Sequence, residues 1–464
     1  MSNVGSAAGG YRVENPATGE IIERFDNATD EEVGQVLDAA DKAFASWREK
    51  TIEERAAIVN KVADLFGERK QELAEIIAEE MGKPIAEGIE EAEFCEAIFN
   101  YYADNGPDFA KDEEIKTFSG GKAFIQRRPI GPLLGIMPWN FPYYQVARFA
   151  APNLVLGNTI ILKHAEICPR SARAIADIMK EAGIPEGVYN NIFATHEQIE
   201  TIIADPRVQG VSLTGSERAG SAVAAQAGKH LKKCVLELGG SDPYIVLDTE
   251  NLEEAVETAW GTRMYNTGQA CNSNKRMIVM EDIYDDFVAG LTKRAQEAKP
   301  GKPEEAGEGV YAPLSSRGAA EGLRKQLERA VEQGAHLVGG ELADDGTAYL
   351  SPAVLTGVTS EMDAYREELF GPVATVYKVS SEDEALKLAN DTTFGLGGAV
   401  FSTDKARAEK LAQQLEVGMS NVNTPAGEGA EIPFGGTKRS GFGRELGPYG
   451  MDEFVNKRMY YIAD

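Results

Sequence analysis

From about residue 128 onward, short apolar runs alternate with helical patterns, and this alternation constrains the fold of the chain more tightly than any other feature. PLLGIM, NTIILK, VYNNIF, VQGVSL and CVLEL are candidate strands, and between them lie helical stretches such as SARAIADIMKEAG and AGSAVAAQAGKHL. A unit that repeats as strand, helix, strand is the signature of a parallel, doubly wound α/β sheet. After the ELGG turn at 237–240 a second series follows: PYIVL, RMIVM, AHLVGG, GPVATVYKV and GGAVFS, with the helix DIYDDFVAGLTKRAQEA. Residues 30–111 read as helices, and Thr51 with Glu54 forms a capping-box pattern ahead of AAIVNKVADLF. Strand-rich sequence at 119–128 and 456–462 fits neither series. The expected fold class is therefore α/β, with two doubly wound parallel-sheet domains and a strand-bearing extension.

The length agrees, because 464 residues exceed what one ordinary core accommodates. Acidic residues number 74 against 47 basic, a formal net charge of -27. Such a field repels phosphate at long range, which argues against nucleic acid and anionic membrane as partners. It fits a protein working in concentrated salt, where counterions screen the self-repulsion, and equally an ordinary acidic protein. The segment MSNVGSAAGG has neither a basic nor an apolar leader region, and no run of about 18 apolar residues occurs, so a cytoplasmic location is expected. Four scattered cysteines (Cys95, Cys168, Cys234, Cys271) without a CxxC pair suit a reducing compartment and argue against disulfides or a thiol zinc site. The four histidines show no metal-ligand spacing, so no metal is expected.

Cys271 stands apart from the other three. It lies in NTGQACNSNKR among small polar residues, where the backbone can turn tightly beside a ligand, whereas the other cysteines have apolar neighbours. A nucleophilic thiol needs a base or a positive environment. None of the histidines occupies a comparable motif, but Glu237 ends the strand CVLEL and precedes Gly239 and Gly240. A carboxylate at the carboxyl end of such a strand points into the crevice where open α/β sheets bind ligands, unless it serves as a cap or a surface acid. In PWNFP (138–142) two prolines fix a loop that can hold the Asn140 amide as a donor for a developing oxyanion, or merely turn a corner. In LTGSERAG (213–220) a strand runs through Gly215 and Ser216 into a helix, an arrangement that suits phosphate oxygens as well as a plain turn.

Taken in order, PWNFP, KHAE (163–166), LTGSERAG, ELGG, GQAC, EELFGPV (367–373) and PFGGTKRSGFGRE (433–445) resemble the aldehyde dehydrogenase superfamily, over nearly the whole chain. The resemblance implies that Cys271 attacks an aldehyde, that Asn140 and the Cys271 N–H hold the oxyanion, and that Glu237 activates the hydrolytic water. It also implies a dinucleotide cofactor, NAD in preference to NADP. Lys163 and Glu166 would hold the adenine ribose, Ser216 with the turn from Gly215 to Gly220 the pyrophosphate, and Glu368 with Phe370 the nicotinamide end, while Trp139 and Leu238 line the path. By the same likeness residues 1–111 and 128–239 would form the NAD-binding domain and 240–445 the catalytic domain. Residues 112–127 and 446–464 would form an arm that builds a homodimer or homotetramer. Arg148 lies where relatives acting on succinate semialdehyde or lactaldehyde also carry arginine, so it is expected near the mouth, gripping a distal oxygen function. A second arginine typical of one succinate semialdehyde subgroup is absent, and Tyr265 stands there. The expected activity is NAD(P)-dependent oxidation of an aldehyde to its acid, with succinate semialdehyde foremost and lactaldehyde, glycolaldehyde or another short aldehyde as alternatives. A CoA-acylating enzyme is disfavoured because that subgroup typically lacks the glutamate of ELGG. A non-catalytic binding protein is disfavoured because Cys271, Glu237 and Asn140 are all present.

Overall fold

Two separate sheets carry the fold. The computed structural model describes residues 10–118 and 120–464; the first nine residues, on which the reading of an absent leader rests, lie outside the described residues. In the first sheet, strands Pro132–Met137, Thr159–His164, Tyr189–Asn191, Gly210–Thr214 and Lys233–Glu237 run parallel, and Gly441–Phe442 pairs antiparallel with the last of them. Pro132–Met137 has Thr159–His164 on one side and Gly210–Thr214 on the other. The chain therefore winds outward in both directions from this strand, and the crevice that opens at such a reversal is where open α/β sheets hold ligands. PWNFP and the Gly215–Ser216 turn follow the two strands that meet there.

The second sheet has seven strands: Pro243–Val246 is flanked by Arg276–Met280 and Gly397–Phe401, and Val373–Val379, Ala353–Thr356, His336–Gly339 and Met419–Val422 complete it. All its pairs are parallel except His336–Gly339 with Ala353–Thr356. This antiparallel edge departs from the purely parallel expectation. Ala353–Thr356 and Met419–Val422 are not among the strands read from the sequence. The segment Gly441–Phe442, assigned from the sequence to the second domain, joins the first sheet.

Helices Asp30–Trp47, Ile52–Glu68, Lys70–Met81 and Ile85–Phe109 follow a strand pair, Tyr11–Glu14 with Ile21–Phe25. The Thr51 capping box forms: Thr51 Oγ1 accepts the Glu54 N–H at 3.2 Å and Glu54 Oε2 accepts the Thr51 N–H at 2.7 Å. The inner faces of these helices pack with Tyr144–Leu156 onto the first sheet, where Phe66 meets Phe99 at 5.4 Å and Tyr143 at 6.2 Å. Each such fully buried ring contributes about 1.5–3 kcal/mol relative to leaving it in water.

The strands that fitted neither series pair with each other. Lys122–Pro129 runs antiparallel to Val455–Ile462 and to Glu113–Ile115. The outer strand exposes Met459, Tyr460, Tyr461 and Ile462. Among the described residues no helix is long and apolar enough to cross a membrane, and no cluster of side chains is suited to a metal.

Candidate active site

Carboxyl ends of the first sheet meet the amino end of strand Arg276–Met280, and the candidate residues gather at that junction. His164, at the end of its strand, is buried and neutral, its pKa pushed down to about 4 by burial. Its Nδ1 accepts the Ala165 N–H at 2.8 Å, so Nε2 carries the proton and donates it to the Pro142 carbonyl at 2.9 Å. This bond clamps the PWNFP loop. Within the loop, Asn140 is buried; its Oδ1 accepts from Gln145 Nε2 at 2.9 Å and its Nδ2 donates to the Gln269 carbonyl at 3.0 Å. The donor edge of the amide is thus turned toward the segment that carries Cys271.

That segment is held in an unusual shape. Asn266 and Thr267 have φ values of 51° and 52°, a left-handed conformation disfavoured for side chains of this size. Gly268 continues the turn at φ 74°, where a Cβ would run into the Gly371 carbonyl. Asn266 Nδ2 donates to the Asn140 carbonyl at 2.8 Å, so the two loops are cross-linked in both directions. From beneath, Lys275 Nζ donates to the carbonyls of Ala270 at 2.6 Å and Cys271 at 2.7 Å. Gly240 packs against the Cys271 carbonyl where a Cβ would collide, which draws the ELGG turn and the thiol together.

Burial pushes the Cys271 thiol up to about 11; Arg148 and Lys275 oppose this, and Asp242 and Glu237 add to it. Glu237 is buried, its two carboxylate oxygens have no hydrogen-bond partner among the described residues, and its carboxyl is held well above the usual range by burial and then by Glu445. A desolvated carboxylate with free lone pairs is a strong base for a proton brought to it. Cys95 and Cys168 are fully buried, with thiols also pushed up, and Cys168 Sγ faces the Trp139 carbonyl at 4.0 Å.

Arg148 is not at the mouth. It lies one turn into helix Tyr144–Leu156, wholly buried, with Nε ion-paired to Glu445. Its Nη2 donates to Thr214 Oγ1 at 3.2 Å and its Nη1 reaches the Tyr144 hydroxyl at 3.4 Å. The guanidinium also stacks on the rings of Tyr144 and Phe434, at 4.9 and 4.5 Å. The sequence-based expectation is corrected accordingly: the partner carboxylate is 297 residues away along the chain (445 minus 148), so local sequence gave no sign that the charge was engaged. Removing Arg148 alone would strand Glu445, a loss of about 3–5 kcal/mol for a broken buried pair.

On the far side of Cys271, Lys163 forms an ion pair with Glu166. Burial would raise the Glu166 carboxyl, but Lys163 overrides it and holds the group below its ordinary range. Ser216 caps helix Glu217–Lys229, accepting the Ala219 N–H at 3.3 Å, and a Cβ at Gly215 would make only ordinary contact with Leu213, at 3.6 Å. Gly220 is crowded instead: a Cβ there would collide with the Leu238 side chain, so its smallness lets the helix pack on the end of the Glu237 strand. Leu238 is itself buried in that contact. Glu368 Oε1 accepts the Gly240 N–H at 3.1 Å and pairs with Lys275 at 3.1 Å, and Trp139 meets Phe370 edge to face at 5.8 Å. Lys275, Gln269 and Glu445 escaped the sequence reading although they stand inside or beside the quoted motifs, because nothing local marks a side chain as bonding to a distant carbonyl or charge.

The model of the aldehyde dehydrogenase family matches residues 4–460. The succinate-semialdehyde dehydrogenase (NADP+) of Deinococcus radiodurans is 50% identical over 450 residues, 97% of this chain and 94% of that protein. The succinate semialdehyde dehydrogenase (NAD(P)+) Sad of Escherichia coli is 42% identical over 443 residues, 95% of this chain and 96% of that one. The crystal structure of succinic semialdehyde dehydrogenase from Streptococcus pyogenes in complex with NADP+ superposes with a TM-score of 0.95 at 41% identity, covering 98% of this chain and all of that one.

A thiol with a pKa near 11 is protonated at neutral pH, and its thiolate fraction climbs about tenfold per pH unit. Alkylation of Cys271 by iodoacetamide in the cofactor-free protein, followed by mass spectrometry of its peptide, is expected to accelerate in that proportion from about pH 7 to about pH 10. A plateau below pH 9 would show that the positive charges of Arg148 and Lys275 outweigh burial.

Proposed function

The chain belongs to the aldehyde dehydrogenase family and oxidises an aldehyde with NAD(P); on that premise we propose that the aldehyde is succinate semialdehyde and that Cys271, Glu237 and Asn140 carry the chemistry. The cross-linked placement of Asn140 against the Cys271 loop is the observation that carries this reading. Cys271 Sγ bonds to the aldehyde carbon after its proton passes to the neighbouring carboxylate, Glu237. The aldehyde oxygen becomes an oxyanion held by Asn140 Nδ2–H and the Cys271 N–H. Donors fixed in advance toward developing charge need no rearrangement, and one such donor is worth about 10²–10³ in rate. The C–H bond then breaks with its electron pair leaving as hydride, and the nicotinamide, when bound, supplies the acceptor. Glu237, once it has released the thiol proton to solvent, takes a proton from water, the oxygen attacks the acyl carbon of the thioester, and the C–S bond breaks to release acid and thiolate. A free carboxylate at this position favours hydrolysis over transfer to CoA.

The residues of the far side fit a dinucleotide. The turn at Gly215 and Ser216 with the positive end of helix Glu217–Lys229 suits the pyrophosphate, Lys163 and Glu166 the adenine ribose, and Glu368, Trp139 and Phe370 the nicotinamide end. Residues 1–111 and 128–239 would hold this cofactor and 240–445 the nucleophile. The exposed apolar strand Val455–Ile462 supports an arm, 112–127 with 446–464, that pairs copies of the chain into dimers or tetramers. A cytoplasmic setting suits four unpaired cysteines.

For the substrate's distal carboxylate, the Tyr144 hydroxyl is the donor that Arg148 polarises from behind. A second reading, a hydroxyaldehyde such as lactaldehyde, is favoured by one feature: Glu90 lies 3.4 Å from the Tyr265 hydroxyl, and Glu428 faces Glu90, so the approach along Tyr265 carries negative charge. Kinetics with both aldehydes decide between them. Tyr144→Phe is expected to lower kcat/KM for succinate semialdehyde about ten- to 150-fold, the worth of a hydrogen bond to a charged group, while sparing butanal. An equal fall for both would count against the contact.

Cys271→Ala is expected to abolish NAD(P)H formation, whereas Glu237→Gln should give a single-turnover burst and stall at the thioester; steady turnover in the Glu237 variant would remove it from the water step. For the cofactor, the carboxylate of Glu166 would repel the extra phosphate of NADP by about 1 kcal/mol or more at contact, so about tenfold preference for NAD is expected. Glu166→Ser should erase that preference, and equal efficiencies in the unaltered protein would show that Glu166 does not read the ribose.

A further inference from the structure

Asn140 and Cys271 belong to loops of different sheets, yet their donors must converge on one oxygen atom. A single turn of helix Ile85–Phe109 touches both loops. Glu91, buried on that helix, accepts the N–H groups of Tyr143 at 2.8 Å and Tyr144 at 3.1 Å through Oε1, just beyond Asn140. Helix Tyr144–Leu156 has no side-chain cap of its own, so Glu91 supplies one from a neighbouring element, at the positive end of the dipole. Glu87, four residues earlier on the same face, accepts the Asn266 N–H at 2.6 Å, at the start of the left-handed turn that leads to Cys271. Lys83 pairs with Glu91 Oε2 and sits 3.7 Å over the ring of Phe141, which in turn stacks on Tyr265 at 6.0 Å.

We propose that Glu87 and Glu91, with Lys83 paired to the latter, are positioning residues that use one helical turn as a ruler to set the separation of the Asn140 amide from the Cys271 N–H. Taking the Lys83–Glu91 pair out of water costs several kcal/mol per ion, a cost that apolar side chains of similar volume would avoid. Packing alone does not account for charges here. Both carboxylates instead direct their oxygens at backbone N–H groups flanking the two oxyanion donors, and a misplacement of about 1 Å there is enough to cost about 10²-fold in rate.

This assignment rests on Asn140 and Cys271 acting as proposed above, and a double-mutant cycle separates the two ideas. Glu91→Gln and Glu87→Leu, each made alone and with Asn140→Ala, are compared in single-turnover NAD(P)H bursts. Each single variant is expected to lower the burst rate about ten- to 100-fold with the KM for aldehyde changed less than about threefold, and to have almost no further effect once Asn140 is gone. Falls that multiply with that of Asn140→Ala, or a fall confined to KM, would overturn the positioning role. Activity surviving in Cys271→Ala would instead overturn the underlying mechanism. Should Glu91→Gln fail to fold, the partly exposed Glu87 decides alone, since Glu87→Leu removes only the Asn266 tether.

Discussion

Asn140 donates to the Gln269 carbonyl and receives the Asn266 side chain on its own carbonyl, and this pair of bonds joins two sheets that share no strand. Everything on the substrate side depends on it. The clamp of His164 on Pro142 fixes one loop, Lys275 beneath Ala270 and Cys271 fixes the other, and the reciprocal amide bonds convert two rigid loops into one site. A left-handed stretch at Asn266–Thr267 is tolerable because the surrounding bonds over-determine it.

Charge is the second organising constraint. Glu237, Glu445 and Arg148 are buried together, Glu445 raising the Glu237 carboxyl and Arg148 opposing the rise of both, while Arg148 and Lys275 oppose the rise of the Cys271 thiol. Arg148 neutralises Glu445, which would otherwise repel Glu237 unopposed. Burial pushes the Cys271 thiol up, and a thiol reacts with oxidants and alkylating agents far more slowly than its thiolate. Glu368, proposed for the nicotinamide end, pairs with Lys275 and so shares a cation with the Cys271 carbonyl.

Much of this was legible beforehand. The five parallel strands of the first sheet lie within two residues of the runs that announced them, because strands covered on both faces are largely apolar. Asn140, Glu237 and Cys271 stood out as candidates since each sits in a short motif whose prolines or glycines betray an enforced backbone. Gly220 shows the complementary limit: a glycine near a helix start serves a phosphate or a packing contact equally well, and only the fold shows that Leu238 lies where its side chain would be. Arg148 was misplaced because helical periodicity shows that a residue turns inward without showing what awaits it.

Sequence by itself determined the elements, their winding and the kinds of chemical group available, since these depend on periodicity, turn residues and motif spacing over a few neighbours. Tertiary structure alone decided which charges are spent. Glu445 on Arg148, Glu91 on the amides of Tyr143 and Tyr144, and Lys275 on the Cys271 carbonyl are choices made by groups brought together across the fold. Burial makes each of these partnerships obligatory, because a charge removed from water must find its partner wherever the packing has placed one, and that place is not written in the residues beside it.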